Sequence, residues 1–167
     1  MSFKYTIEET KLEGVKVFTP DKFTDYRGTM WTYWEKDMNT PPHKISKFTH
    51  SRKNVLRGLH GDNETWKHIT CVYGAFYLVV VDYREDSPTY LQWVSFTLDD
   101  KNCKSVLVPP GFLNGHLCLS DECVFHYTQS YPNEYVDWQD QMSVNWNDPE
   151  LKINWPIDNP ILSERDK

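Results

Sequence analysis

His68-Ile-Thr-Cys-Val-Tyr73-Gly74-Ala75-Phe-Tyr-Leu-Val-Val-Val-Asp-Tyr83 is the stretch on which the fold class turns. Two runs of β-branched and aromatic residues flank one glycine, and such residues pack well on a pleated surface. The pattern predicts two strands joined at Tyr73-Gly74 by a tight hairpin. Outward from it, further strand signals fall at 15–18, 30–34, 55–59, 90–98, 105–108, 116–119 and 124–131, with Asp86-Ser87-Pro88 as a turn. No segment keeps apolar residues at helical spacing for four turns, so helix is expected only in short pieces. Many short antiparallel strands separated by polar turns imply an all-β sandwich, jelly roll or closed barrel.

The chain has 167 residues, 15% of them aromatic, and a formal net charge of -6. That length is ordinary for one domain, and no linker, repeat or low-complexity tract marks a second; the expectation is a single domain over 1–167. With 24 acidic against 18 basic residues the chain lacks the field that phosphate-backbone binding uses, so no nucleic-acid partner is expected. The four cysteines form no C-x-x-C pair and read as buried thiols. Residues 1–9 carry no apolar signal core, and the longest apolar run, 75–81, is far below the ~20 residues of a membrane helix. No membrane partner and a cytoplasmic location are expected. The last segment, 146–167, reads as an ordered tail over the barrel that shelters Trp146, Trp155, Ile161 and Leu162.

Chemistry concentrates in two segments where Gly and Pro bracket single polar residues: Arg57-Gly-Leu-His60-Gly-Asp62 and Val108-Pro-Pro-Gly-Phe-Leu-Asn114-Gly-His116. Both resemble the two motifs of cupin barrels, whose metal-binding members supply a His-x-His pair with a following Glu, then another His. Here Asp62 and Asn114 stand at ligand positions, and an amide is a poor ligand for iron, zinc or copper. No metal is expected, although a metal-dependent reading through His60, Asp62 and His116 stays open, as does a barrel that only binds. His60 reads either as a base, since an unperturbed imidazole with a pKa of ~6.5 exchanges protons near neutrality, or as a structural histidine. Lys67 reads either as a cation for a developing oxyanion or as a solvated side chain. In 123–129, alternation puts Cys123, Phe125, Tyr127 and Gln129 on one face. Tyr127 would then point inwards, towards a hydrogen-bond partner or a ligand.

Six strings, Phe23-Thr-Asp-Tyr-Arg-Gly28, Lys53-Asn-Val-Leu-Arg-Gly-Leu-His60, Val81-Asp-Tyr-Arg-Glu-Asp-Ser-Pro-Thr-Tyr90, Val108-Pro-Pro-Gly-Phe112, Trp146-Asn-Asp-Pro149 and Leu162-Ser-Glu-Arg-Asp166, occur in order along nearly the whole chain. Together they resemble the dTDP-4-dehydrorhamnose 3,5-epimerase family. The resemblance implies a cupin-type jelly-roll barrel, normally a homodimer, that uses no metal or other cofactor and acts on a nucleotide-diphosphate sugar bearing a C4 ketone. By that resemblance His60 matches the general base, Asp166 the carboxylate that orients it, Lys67 the cation near the C4 oxygen and Tyr127 the proton donor on the opposite face. Arg27 and Arg57 match diphosphate contacts, and Phe23 an aromatic that the partner subunit stacks on the nucleobase. Asn114 and His116 are expected to line the substrate site.

Arg57 and His60 have opposite parity in a regular strand, so both can face one pocket only if Gly58 or Gly61 breaks the pleat. The chain also departs from the family pattern. His60-Gly-Asp62 replaces His-Phe-Gln, and the loop before Lys67 is three residues shorter. Asn114 replaces His of a Gly-Phe-Ala-His-Gly-Phe context, and Tyr135-Val-Asp-Trp-Gln-Asp-Gln141 replaces a Tyr-x-Pro-x-x-Glu stretch. These changes resemble the branch that epimerises GDP-linked 4-keto-6-deoxy heptoses for bacterial capsules.

Overall fold

A computed structural model describes residues 4–167; the first three residues of the expected domain lie outside it. Among the described residues the strands are β1 (Tyr5–Glu9), β2 (Lys16–Pro20), β3 (Lys22–Asp25), β4 (Gly28–Trp31), β5 (Ile45–Arg52), β6 (Leu56–Gly61), β7 (Trp66–Tyr73), β8 (Ala75–Asp82), β9 (Trp93–Asp99), β10 (Ser105–Val108), β11 (Phe112–Cys118), β12 (Glu122–Ser130) and β13 (Met142–Ser143). Helix is confined to two single turns, Lys36–Met38 and Trp138–Asp140. One sheet runs β1-β2-β10-β7-β12-β5 and the other β13-β6-β11-β8-β9, while β3 and β4 form a separate hairpin. From β5 to β8, and again from β9 to β12, each strand lies in the sheet opposite its predecessor. This alternation between two antiparallel sheets is the expected jelly roll.

The expected hairpin at Tyr73-Gly74 is therefore wrong, because β7 and β8 belong to different sheets. Gly74 makes a corner at φ +72, and a Cβ there would stand 2.2 Å from the Glu122 carbonyl oxygen. The backbone around the corner bonds outwards, Gly74 N to Asp100 Oδ2 and Ala75 N to Ser120 Oγ, instead of closing a ladder. Local alternation cannot tell a hairpin from a corner when both strands are buried on both faces. That condition holds in β8, where Phe76, Leu78 and Val80 enter the inter-sheet core. Val79 and Val81 face outwards, under a cover of Leu151, Ile153 and Trp155 from the tail.

The tail is ordered as expected, although Ile161 is 56% exposed and does not anchor it. Leu151 does, 4% exposed against β8, and Trp93 Nε1 donates to its carbonyl at 2.9 Å. Around Ile161 the backbone docks, forming a parallel bridge with Val55 and bonds to Asn54 and Leu56. The chain end is thereby laid along the start of β6.

Two other boundaries differ from expectation. The strand expected at 30–34 ends at Trp31, and Tyr33 folds flat on His68, ring centroids 4.6 Å apart, with its hydroxyl donating to the His68 carbonyl at 2.6 Å. The strand expected at 90–98 begins at Trp93. Residues before it wrap the fully buried Asp82 carboxylate, which accepts from Arg84, Ser87 and Thr89. Side-chain bonding of this kind competes with the strand ladder.

Candidate active site

The jelly roll leaves an open pocket of about 440 Å³ between its sheets, at the end where β6, β7, β11 and β12 meet the tail. Arg57 and His60 both line it. The pleat breaks between them as the two glycines suggested: Gly58 has φ +129, and the pairing of β6 with β11 shifts register between Asn114 and His116. A Cβ on Gly58 would fall 2.5 Å from the Gly115 Cα, so two glycines lie face to face to let the strands approach.

At the pocket wall His60 Nε2 and Asp166 Oδ1 are 2.6 Å apart across 106 residues of sequence. Burial pushes the Asp166 carboxyl up, but hydrogen bonds from His60, Ser163 and the Gly58 amide, with the imidazole charge, hold it below the usual carboxylate range. An ionised Asp166 can only accept, so Nε2 carries the hydrogen, and in the neutral form of the ring the lone pair lies on Nδ1.

Lys67, 8% exposed on β7, donates to Asn114 Oδ1 at 2.8 Å. Burial lowers its pKa to about 8; the charge of Asp62 opposes this and the charges of Arg165 and Lys47 add to it. The ammonium form thus persists at neutral pH. Asn114 uses its oxygen on Lys67, which leaves its NH2 group for a ligand.

Tyr127 faces the pocket with Phe125 and Gln129, as alternation along β12 required. Among the described residues its hydroxyl bonds to no protein group. Burial raises its pKa, the Lys47 ammonium lowers it and Tyr135 raises it again, with a net upward shift. His116 also lines the pocket but carries no charge, since burial and then the Arg57 charge push its pKa down to about 3. It stacks on Phe125 at 4.0 Å and 13°, as an apolar ring would.

Not every expected residue converges here. Phe23 and Arg27 sit on the β3–β4 hairpin and do not line this chain's pocket; Phe23 is 41% exposed and Arg27 pairs with Asp25. Asp62 does not line the pocket either. Its Oδ1 accepts from the Glu64 and Thr65 amides, so the open reading with His60, Asp62 and His116 does not assemble. Among the described residues no three His, Cys, Asp or Glu side chains are grouped to hold a metal.

Sequence reasoning missed Lys47, Tyr135, Trp138 and Arg165, all at the rim. Lys47 Nζ donates to the Tyr135 hydroxyl at 2.5 Å. Arg165 lies over the Trp138 ring and donates to the Trp138 carbonyl at 2.9 Å and to Gln141 Oε1 at 3.2 Å, which ties the 138–141 turn to the tail. With Arg57 and Lys67, four cationic side chains face one carboxylate, that of Asp166, among the described residues. An acidic protein thus presents a positive pocket, suited to an anionic ligand.

The family model described as dTDP-4-dehydrorhamnose 3,5-epimerase matches residues 9–167. The chain belongs to this family. The dTDP-4-dehydrorhamnose 3,5-epimerase of Shigella flexneri is 34% identical over 95% of this chain and 91% of its own. A dTDP-4-dehydrorhamnose 3-epimerase of Streptomyces niveus is also 34% identical, over 93% of this chain and 78% of its own. Among solved structures, a dTDP-4-dehydrorhamnose 3,5-epimerase from Bacillus anthracis with TDP and PPi bound superposes with a TM-score of 0.91 at 32% identity, covering 98% of this chain and 97% of that one. Membership in this family of epimerases makes the protein an isomerase with an RmlC-like cupin jelly roll.

Proposed function

We propose that the protein, as one domain over 1–167, inverts C3 and/or C5 of a nucleotide-linked 4-keto-6-deoxy sugar, of the GDP-heptose or dTDP-hexose type. The observation that carries this reading is the His60–Asp166 pair at 2.6 Å, set in the same pocket as Lys67 and Tyr127. The C4 ketone acidifies the neighbouring C–H bonds. His60 Nδ1 takes one of those protons, and the electron pair moves onto the C4 oxygen as an enolate. The Lys67 ammonium stabilises that oxygen, and the Asp166 carboxylate stabilises the imidazolium. Tyr127 returns a proton to the opposite face, which inverts the carbon. No metal or other cofactor takes part.

Arg57 and Arg165 hold the diphosphate, where a guanidinium fits phosphate oxygens in pairs. Phe23 and Arg27 complete the neighbouring subunit's site in a homodimer; their position away from this chain's own pocket supports that arrangement. The cytoplasmic supply of precursors for capsule or lipopolysaccharide is the setting in which such a product is used.

Incubation in D2O with GDP- and dTDP-linked 4-keto-6-deoxy sugars, read by mass spectrometry, tests the reading. One or two deuterons are expected with at least one nucleotide, one for a single centre and two for both. Absence of exchange with every such sugar refutes it. His60→Ala removes exchange, whereas Tyr127→Phe retains proton loss and loses inversion.

A further inference from the structure

We propose that Lys47 is a positioning residue for Tyr127: its ammonium, bonded to the Tyr135 phenol and carried by the residue paired with Tyr127 across the ladder, stabilises the phenolate left when Tyr127 gives up its proton. The inference rests on reading His60 as base and Tyr127 as acid. Lys47 on β5 is the register partner of Tyr127 on β12, and both side chains line the pocket. Directly paired residues on one face of antiparallel strands have Cβ atoms about 5 Å apart. Lys47 Nζ donates to the Tyr135 hydroxyl at 2.5 Å and lies 4.4 Å from that ring's centroid.

The other pocket cations are held by amide, serine hydroxyl and backbone carbonyl oxygens. Lys67 bonds to Asn114, Arg57 to Ser51 at 3.0 Å, and Arg165 to Trp138 and Gln141. Among the described residues Lys47 alone of the four has a phenol as its hydrogen-bond partner and a second phenol as its neighbour across the ladder. The coupling is mutual, since the Lys47 charge lowers the Tyr127 pKa and Tyr127, Tyr135 and Asp137 help to raise that of Lys47 against its burial.

Proton donation needs this support. The Tyr127 O–H bond breaks, its proton forms the new C–H bond, and the electron pair stays on the phenolate oxygen. His60 meanwhile holds the proton taken from the opposite face. The site resets when the imidazolium releases its proton to solvent and the phenolate takes one up. In a partly buried position the phenolate is unfavourable, and the charge of the Lys47 ammonium offsets that penalty.

Lys47→Met, Lys47→Arg and Tyr127→Phe are compared with the wild type for inversion, deuterium exchange at the abstracted centre, and KM. Lys47→Met lowers inversion about tenfold, the order expected when one charge-assisted contact to the phenolate is lost. Exchange and KM in Lys47→Met stay within about twofold, because proton abstraction and binding are untouched. Lys47→Arg restores inversion, which also excludes a simple failure of folding. Parallel loss of exchange and inversion in Lys47→Met overturns the proposal, as does a rise in KM alone, which would make Lys47 a substrate-binding group. Failure of the underlying reading looks different: the wild type itself shows no exchange, or Tyr127→Phe inverts fully.

Discussion

Replacing Asp166 with Asn tests how much of the catalytic power lies in the orientation of one imidazole. Asp166 is 6% exposed and lies behind His60, so the change leaves substrate contacts in place. Its bond to Nε2 is short, at 2.6 Å, and one partner is ionised. Hydrogen bonds to charged groups contribute about 1.5–3 kcal/mol, and each 1.4 kcal/mol is tenfold in rate, so loss of the charge-assisted bond predicts a fall of about 10–150-fold in kcat. The loss is larger if the Asn NH2 group faces Nε2, because the ring then adopts the other tautomer and Nδ1 carries the hydrogen. KM is expected to change by less than about threefold.

The stability that Asp166 contributes depends on pH. The Asp166 pKa is depressed in the folded protein, so its contribution is present above the unfolded value of about 3.9 and is lost as pH falls through the folded one. Urea denaturation should therefore separate wild type from Asp166→Asn at pH 7 and bring them together in strong acid. The assay for catalysis is the initial rate of deuterium incorporation in D2O. Wild-type incorporation by Asp166→Asn refutes the assigned roles of both residues.

Other expectations are as direct. Lys67→Met should lower kcat by about 10²–10³-fold as the stabiliser of the enolate oxygen is removed. Because burial lowers the Lys67 pKa to about 8 in the free protein, wild-type kcat/KM should fall as pH rises past that value; a flat kcat/KM profile up to pH 10 contradicts the role. Leu151→Ala empties the contact under the tail and should destabilise the fold by about 2–3 kcal/mol in urea titrations. An equal mixture of Phe23→Ala and His60→Ala proteins, refolded together, should regain about a quarter of wild-type activity, because half the dimers then carry one intact site. No recovery argues against sharing of the site between subunits.

How much the sequence disclosed differs from one element to another. The inward face of β12 followed from alternation alone, because Cys123, Phe125, Tyr127 and Gln129 sit on one strand. The break at Gly58 followed from the conflicting parity of Arg57 and His60. The first inference needs only neighbours in sequence, and the second needs in addition the resemblance that assigned both residues to one site. The corner at Gly74 depends on which sheet each strand joins, and the strands that decide this, β10, β11 and β12, lie some thirty residues or more further along the chain. Lys47 and Arg165 were missed for a related reason. Each is an ordinary charged residue within its own segment, and it becomes a pocket group only where β5 pairs with β12 or the tail meets the 138–141 turn. Ile161 misled because a hydrophobic side chain in a tail suggests burial, whereas here its backbone makes the contacts.

The alternation of strands between sheets also bears on the order in which the molecule assembles. His60 on β6 pairs with β11, Lys67 on β7 with β10 and β12, and the carboxylate that orients His60 arrives 106 residues later. Closing such loops costs chain entropy before any contact compensates for it, and topologies dominated by distant pairings fold slowly. None of the pocket's walls can exist as an independent fragment. In refolding, burial of the tryptophans under the tail and the return of catalysis should therefore come late and together, with no active species preceding the complete barrel.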